Sequence, residues 1–327
     1  MKIFIYPTFN KKVDVNVYSK LFHDAFQESE SWTIVNRLCK WSVLGIWANL
    51  DADVFVLSWP ENVVKRKFAF VQRLVLVAGI NVTSLLGKKI IWIMHNKHSH
   101  GEDNMRSEHL INFMVRKSTI IITHSAEGVD FFNNTYPNFY GKCYYLPHPV
   151  YTTKIYKQKP IKWDYIIWGS IEKRKKILEF IQFSNQSDFF NRKKILICGR
   201  CKDEEYQRRI EEVCGKNITL IPRRMTDDEL SELICESSFV LFTYSTGSVL
   251  SSGALIYSIN YMKPIIGPNV GSFADLRGIT CTYDSFKDIE NIPKWDNQLE
   301  CKEYIDENSW GKFPPKIIDL LSHSQVG

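Results

Sequence analysis

The chain has 327 residues, 44% hydrophobic and 24% charged, with 20 Phe, 15 Tyr and 9 Trp. This is a globular rather than a disordered composition, long enough for two domains of ordinary size. A net charge of +6 suits an anionic small ligand or an anionic membrane surface. It falls short of what nucleic-acid binding asks for, and no zinc-finger, RNA-recognition or basic-zipper signature is present.

The first half alternates short apolar runs with amphipathic stretches. Strands are predicted at Lys2–Tyr6, Trp32–Val35, Asp53–Leu57, Lys89–Met94, Thr119–Thr123 and Cys143–Leu146. Helices are predicted at Val17–Gln27, Val63–Leu86 with a break at Gly79, Met105–Lys117 and Glu127–Thr135. Runs such as KKIIWIMH and STIIITHS are apolar throughout, as parallel strands covered on both faces are. Leu146-Pro-His-Pro149 and the polar run Thr152–Lys162 interrupt the pattern and read as a linker between domains.

The alternation then restarts. Strands are predicted at Asp164–Trp168, Lys194–Cys198, Ile218–Ile221, Phe239–Phe242, Pro264–Ile266 and Thr280–Tyr283, with helices at Arg174–Phe183, Asp203–Cys214, Asp227–Glu236 and Ser252–Tyr261. Thr226-Asp-Asp-Glu229 has the spacing of a capping box. Two successive βα halves predict an α/β protein of two Rossmann-like domains, each with its binding site at the carboxyl ends of the strands. The expected bounds are 1–150 for the first domain, 163–308 for the second and 309–327 for a closing helix. No stretch reaches the roughly 18–20 uninterrupted apolar residues of a membrane span. Met1–Tyr6 is β-like rather than a charged start followed by an apolar core, so no signal peptide is expected. The eight cysteines lie mostly beside apolar residues, as in KILICGR and ELICESS, the pattern of small buried thiols in a reducing cytoplasm. Cys198-Gly-Arg-Cys201 lacks the second pair that a zinc site of this kind needs.

Polar groups suited to an anion recur after four strands of the second half. Gly169-Ser170 follows the first, with Lys175 six residues beyond the glycine, one turn into the expected helix. Gly199-Arg200 follows the second and Arg223-Arg224 the third. After the fourth, Ser251-Ser252-Gly253 opens a helix whose free amides and dipole favour negative charge. No P-loop GxxxxGK[ST] is present. A diphosphate-bearing ligand accounts for all four strand ends.

Six of the eight histidines lie between residues 95 and 148. IMHNKHSHGEDN leaves its strand directly into polar chain, placing His95, Asn96 and His98 where site residues belong. The spacing of His95, His98 and His100, with Glu102 and Asp103 beyond, matches no familiar metal-ligand set. His95 is expected to act as a general acid/base or as a hydrogen-bond donor to a sugar hydroxyl, because imidazole titrates near neutrality. Lys65-Arg66-Lys67 precedes the amphipathic stretch Phe68–Leu86. Such a cluster suits contact with anionic lipid or a lipid-linked substrate, or equally a helix packed on its own sheet.

With these residues in place, the chain resembles the GT-B glycosyltransferases over nearly its whole length. It looks most like the family 4-type enzymes of bacterial capsule, exopolysaccharide and lipopolysaccharide assembly. Trp168-Gly169-Ser170 through Lys175 is similar to that family's Gly-Arg-Leu…Lys-Gly stretch, with Ser170 where arginine is usual. Ser251-Ser252-Gly253-Ala254 through Lys263-Pro264 resembles the segment that sets a helix N-terminus under the phosphates, with Val249 and Tyr257 where paired glutamates usually stand. His95-Asn96 resembles the histidine near sugar and acceptor in retaining members. Ser309-Trp310 is similar to the start of the closing helix that crosses back to the first domain.

The resemblance implies two domains facing each other across a cleft, closing over the linker to bring His95 to the sugar. It implies transfer of a sugar from a nucleotide diphosphate sugar to a hydroxyl of a saccharide acceptor, one carried on a polyprenyl lipid at the inner face of the bacterial cytoplasmic membrane. Retention of configuration is the expected outcome, with no metal or other cofactor. Gly169, Ser170, Lys175, Ser251, Ser252 and Gly253 would hold the diphosphate, with Lys175 and His95 catalytic. Arg200, Arg223 and Arg224 would hold the nucleotide, and Asn96, His98 and His124 the acceptor. Lys65, Arg66 and Lys67 would meet anionic lipid. A nucleotide-sugar epimerase of the same fold, or a non-catalytic nucleotide- or sugar-binding protein, fits the same pattern. A Rossmann dehydrogenase does not, since Tyr6-Pro-Thr-Phe-Asn10 has no glycine.

Overall fold

The computed structural model describes residues 1–8, 16–37, 39, 41–97, 104–152, 154–245 and 249–323. The chain divides into two compact units: Met1–Tyr151 with Asn308–Gly327, and Thr152–Glu307.

In chain order the first unit contains β1 (Lys2–Tyr6), α1 (Val17–Glu28), β2 (Thr33–Ile34), α2 (Leu44–Ala48), β3 (Val54–Ser58), α3 (Ala69–Leu85), β4 (Lys89–Met94), α4 (Asn104–Lys117), β5 (Ile120–Thr123), α5 (Ala126–Thr135) and β6 (Cys143–Tyr145). The strands form one parallel sheet in the order β2-β1-β3-β4-β5-β6. Helices cover both faces of such a sheet, so its central strands are apolar on each side. Every residue of β3 and of β5 is buried.

The second unit contains β7 (Trp163–Trp168), α6 (Ile177–Asn185), β8 (Ile195–Cys198), α7 (Glu204–Val213), β9 (Ile218–Ile221), α8 (Asp227–Cys235), β10 (Ser237–Leu241), α9 (Gly253–Ile259), β11 (Ile265–Pro268), α10 (Gly271–Asp275), β12 (Thr280–Tyr283) and α11 (Gln298–Glu307). Its sheet is also parallel, ordered β12-β11-β10-β7-β8-β9. The last helix, α12 (Phe313–His323), belongs to the first unit. Phe313, Ile317 and Leu321 share a core there with Tyr18, Phe22 and Phe26 of α1. The closing helix therefore returns to the first unit, as expected from Ser309-Trp310.

Strand order changes direction between β1 and β3 in the first sheet and between β7 and β10 in the second. Loops leave in opposite senses at such a point, and ligands of open α/β sheets bind in the gap beyond the strand ends.

Two helix expectations are corrected. Val63–Leu86 is not one helix broken at Gly79. A 3-10 helix occupies Pro60–Lys65, the chain turns at Phe68 with φ 57°, and α3 then runs unbroken through Gly79. A β-carbon at Gly79 would lie 3.0 Å from both Ile46 and Trp47, so the glycine admits α2 closely rather than breaking the helix. Arg174–Phe183 is also divided. Lys173–Lys175 forms a 3-10 turn, Lys176 takes φ 50°, and α6 begins at Ile177. Lys175 thus precedes the helix instead of lying one turn inside it. The capping box at Thr226 and Glu229 forms as read from the sequence. All eight cysteines are free thiols.

Candidate functional site

The turns after β7 and β8 run side by side. Gly169 N–H donates to the Cys198 carbonyl at 3.1 Å, and Ile171 N–H to the Arg200 carbonyl at 2.9 Å. Gly169 has φ 97° and Gly199 φ 144°, backbone that favours glycine. A β-carbon on Gly199 would stand 1.9 Å from the Gly169 carbonyl oxygen. Only a bare α-carbon allows this crossing, which opens a cavity of about 280 Å³ between the strand ends. Gly169, Ser170, Glu172, Arg200, Lys202 and Arg224 are among its lining residues. Burial works to raise the Glu172 carboxyl, but the Ser170 hydroxyl and the charges of Arg174 and Lys175 outweigh it and hold the group below its ordinary value. Three cations and one ionised carboxylate therefore border a concave space floored by apolar groups.

Lys175 stands at the switch point of this sheet. Its carbonyl accepts from the Thr243 hydroxyl, and the neighbouring Arg174 carbonyl accepts from Ser245 N–H at 2.9 Å. The segment following β10 thereby fixes the turn following β7. The Lys175 side chain is 4% exposed. Its Nζ lies 5.2 Å from the Tyr244 ring centroid and 3.0 Å from where a β-carbon on Gly169 would stand. Its ammonium forms no ion pair and no hydrogen bond among the described residues, an expensive arrangement unless an anion completes it.

The Tyr244 hydroxyl lies 3.3 Å from Ser252 Oγ, which itself caps α9 by accepting from Leu255 N–H. Ser251 Oγ is buried with no hydrogen-bond partner among the described residues. Gly169, Lys175 and Ser252 are thus linked through Tyr244, although α9 has only seven residues. Residues 246–248, inside the Ser/Thr/Gly run that leads to this helix, lie outside the described residues.

Arg200 and Arg224 join the cavity, whereas Arg223 does not line it. Its guanidinium makes paired bonds to the Glu229 carboxylate at 2.7 and 3.0 Å. Thr243, Tyr244 and Glu172 were not singled out from sequence. Thr243 and Tyr244 follow an ordinary buried strand, and Glu172 reads as one member of a charged run.

At the carboxyl ends of the first sheet, three histidines are packed together. His95, at the end of β4, stacks on Trp59 with 4.0 Å between centroids and meets the Tyr18 ring edge-on at 4.8 Å. His124 is 5.7 Å from His95 and 4.9 Å from His148. His124 Nδ1 lies 2.8 Å from the Leu146 carbonyl and must donate there, so Nε2 accepts from the Tyr18 hydroxyl at 2.9 Å. With both ring nitrogens committed and 1% exposure, His124 offers none to an acceptor.

Burial pushes the His124 imidazole down to about 4 and that of His148 to about 3. His95 is also driven well below its usual range, by burial and then by the two neighbouring histidines. The expectation that His95 titrates near neutrality is therefore corrected: it stays neutral, as a hydrogen-bonding group. Its Nε2 is buried without a partner among the described residues. Asn96 is half-buried beside it, and His98 lies outside the described residues.

Glu61 was missed as well, since no motif marks it in the sequence. It follows β3 at the first sheet's switch point, 6% exposed, with Oε2 unpartnered among the described residues. Burial, against its own backbone hydrogen bond and Lys65, raises its carboxyl to about 7.

No family model and no curated protein matches the sequence. Similar folds occur among solved structures. HepE from Anabaena, in complex with UDP, aligns at 11% identity over 98% of this chain and 99% of its own, with a TM-score of 0.63. An α,α-trehalose-phosphate synthase (UDP-forming) from Burkholderia vietnamiensis aligns at 10% identity over 93% and 83%, with a TM-score of 0.56. TarM from S. aureus aligns at 14% identity over 86% of this chain, with a TM-score of 0.60, and the chain spans 58% of TarM's length. At such identities the likeness speaks to architecture: the protein has the two-unit α/β fold of the GT-B glycosyltransferases, as the sequence led us to expect.

Proposed function

We propose that the protein is a glycosyltransferase that takes a sugar from a nucleoside diphosphate sugar and passes it to a hydroxyl of a saccharide acceptor. The observation that carries this reading is the buried Lys175 ammonium, unpaired among the described residues, at a sheet switch point beside a cavity lined by Arg200, Lys202 and Arg224. In the reaction, the bond from the anomeric carbon to the β-phosphate oxygen breaks and a bond to the acceptor oxygen forms. The acceptor proton leaves with the diphosphate, and configuration is retained. Fixed cations aimed at the leaving oxygens stabilise the charge that develops there. Lys175 would take that part, with Gly169 and Ser170 beside it and Ser251 to Gly253 facing the same anion. Arg200 and Arg224 would hold the nucleotide.

Solved complexes of HepE with UDP and with UDP-glucose support a uridine nucleotide as the first donor to try. We assign the acceptor to the strand ends of the first unit, near Asn96, as a lipid-linked saccharide in surface polysaccharide synthesis. His95 serves there as a neutral hydrogen-bonding group.

Because the chain's own cations supply the counter-charge, turnover is expected without a divalent metal. The test is a panel of UDP-, GDP-, CMP- and dTDP-sugars, scored by thermal shift and by nucleotide release with a saccharide acceptor, with and without EDTA. One of the three nucleoside diphosphate classes should raise the melting temperature, with the single-phosphate CMP-sugar as the control that does not, since a ligand that binds only the folded state stabilises it, and release should survive EDTA. A panel without any shift overturns the donor assignment, and loss of release under EDTA overturns metal independence.

A further inference from the structure

The second unit has another cavity, of about 590 Å³, where the strands of its sheet begin rather than end. Ser238, at the amino end of β10, and Lys263, two residues before β11, line it together with Lys294 and Trp295. Those two strands run parallel, so this space and the cavity beyond β7 and β8 lie at opposite ends of one sheet.

Lys263 is 5% exposed. Its ammonium donates to the carbonyl of Cys235, the last residue of α8, at 2.8 Å, and forms no ion pair among the described residues. A helix C-terminus offsets part of the cost of burying a cation. Burial still lowers the Lys263 ammonium from its ordinary value, and the charge of Lys294 adds to the shift. The surrounding carboxylates are committed elsewhere. Glu232 holds Lys159 at 2.6 Å, Glu236 holds Lys162 at 2.7 Å, and Asp296 Oδ1 accepts from Gln298 N–H at 3.0 Å. Gln298 also opens α11, a helix of ten residues, whose amino end brings further partial positive charge to the cavity. Two ammoniums that oppose each other across one space are costly unless an anion lies between them.

Buried bonds fix the walls. Asn297 Nδ2 donates to the carbonyls of Lys263 at 2.9 Å and Ile279 at 3.0 Å, tying the approach to β11 to the start of α11. Its Oδ1 is buried with no partner among the described residues, an acceptor left without a donor. Met262 takes φ 50°, a strained backbone of the kind that gathers at ligand sites. Trp295, its indole donating to the Gly278 carbonyl at 3.0 Å, and Ile161, 49% exposed, make one side apolar.

We propose that this cavity is a second ligand site, taking a phosphomonoester with its phosphate between Lys263 and Lys294 and its hydroxyl-bearing organic part against Trp295. Such a phosphate carries close to two negative charges at neutral pH, which matches two ammoniums, and the volume is that of a small-molecule site rather than of a bare ion. The site lies apart from the nucleotide cavity and does not depend on the donor assignment.

The test is calorimetry of the full chain with AMP and with glucose 6-phosphate as probes, inorganic phosphate as the control, and hydrogen exchange with the tighter probe. At least one probe should bind more tightly than inorganic phosphate and slow exchange in residues 158–162, 261–263 and 294–300. Lys294→Glu, at an exposed position that leaves the fold in place, should weaken that binding at least about 10-fold, because a charged contact is replaced by a repulsion; Lys294→Arg should keep it. The proposal is overturned if neither probe binds, or if Lys294→Glu binds like wild type. Equal affinity for the probes and inorganic phosphate, which would make this an adventitious ion site, overturns it too. So does protection confined to the turns 169–175 and 199–202, which would put the probe in the nucleotide cavity.

Discussion

Replacing Lys175 by methionine is expected to lower sugar transfer about 10²- to 10³-fold, the usual cost of removing one fixed group that stabilises charge in the transition state. The same substitution should leave the melting temperature equal or higher. The side chain is buried, its ammonium pairs with no carboxylate among the described residues, and methionine fills a similar volume without a charge to desolvate. A group kept for an anion that is absent costs stability in the empty protein, and that opposition separates a binding role from a structural one. Calorimetry with the donor nucleotide and a turnover assay decide it. A variant that melts much lower yet transfers normally would make Lys175 a packing residue.

Acidification is expected to destabilise the first unit between pH 6.5 and 5. His124 and His148 stay neutral in the folded state, with values near 4 and 3 against an ordinary 6.5. Below pH 6.5 the unfolded chain therefore binds protons that the folded chain refuses, and stability falls as pH falls. Each contributes a loss of about 2 kcal/mol by pH 5, and His95 acts in the same direction. Glu61 opposes them. Its folded value near 7 exceeds the ordinary 4.5, so protonation between pH 7 and 4.5 favours the folded state and recovers about 3 kcal/mol across that window. Three groups against one leave a net loss.

Glu61→Gln removes the opposing group. The variant should be about 3 kcal/mol more stable than wild type at pH 8, the gap closing towards pH 5, with a steeper acid slope. Melting temperatures of both proteins from pH 8 to pH 5 provide the check. Parallel curves would show that Glu61 is ionised in the folded protein at neutral pH.

Much of the fold was legible because parallel strands advertise themselves as continuous apolar runs. KIIWIM and DYIIW were placed within a residue of β4 and β7. The paired strand-end glycines were legible too, since Gly169 and Gly199 each follow such a run. What escaped was set by packing rather than by local pattern. Lys175 sits in a 3-10 turn because the segment after β10 bonds the Arg174 and Lys175 carbonyls across some 70 residues of sequence, which no helical period records. Gly79 breaks nothing because α2 packs against it. The burial of Glu61 and His124 is a property of neighbours distant in sequence. The histidine cluster was visible as a composition, but its charge state followed from enclosure alone.

The most direct test of the donor assignment is hydrogen exchange of the full chain with and without the nucleotide that raises its melting temperature. Protection should gather in the turns 169–175 and 199–202, around Arg224 and Met225, and from Thr243 to Gly253. Protection confined to Met1–Tyr151, with those turns exchanging unchanged, would contradict a nucleotide site in the second unit.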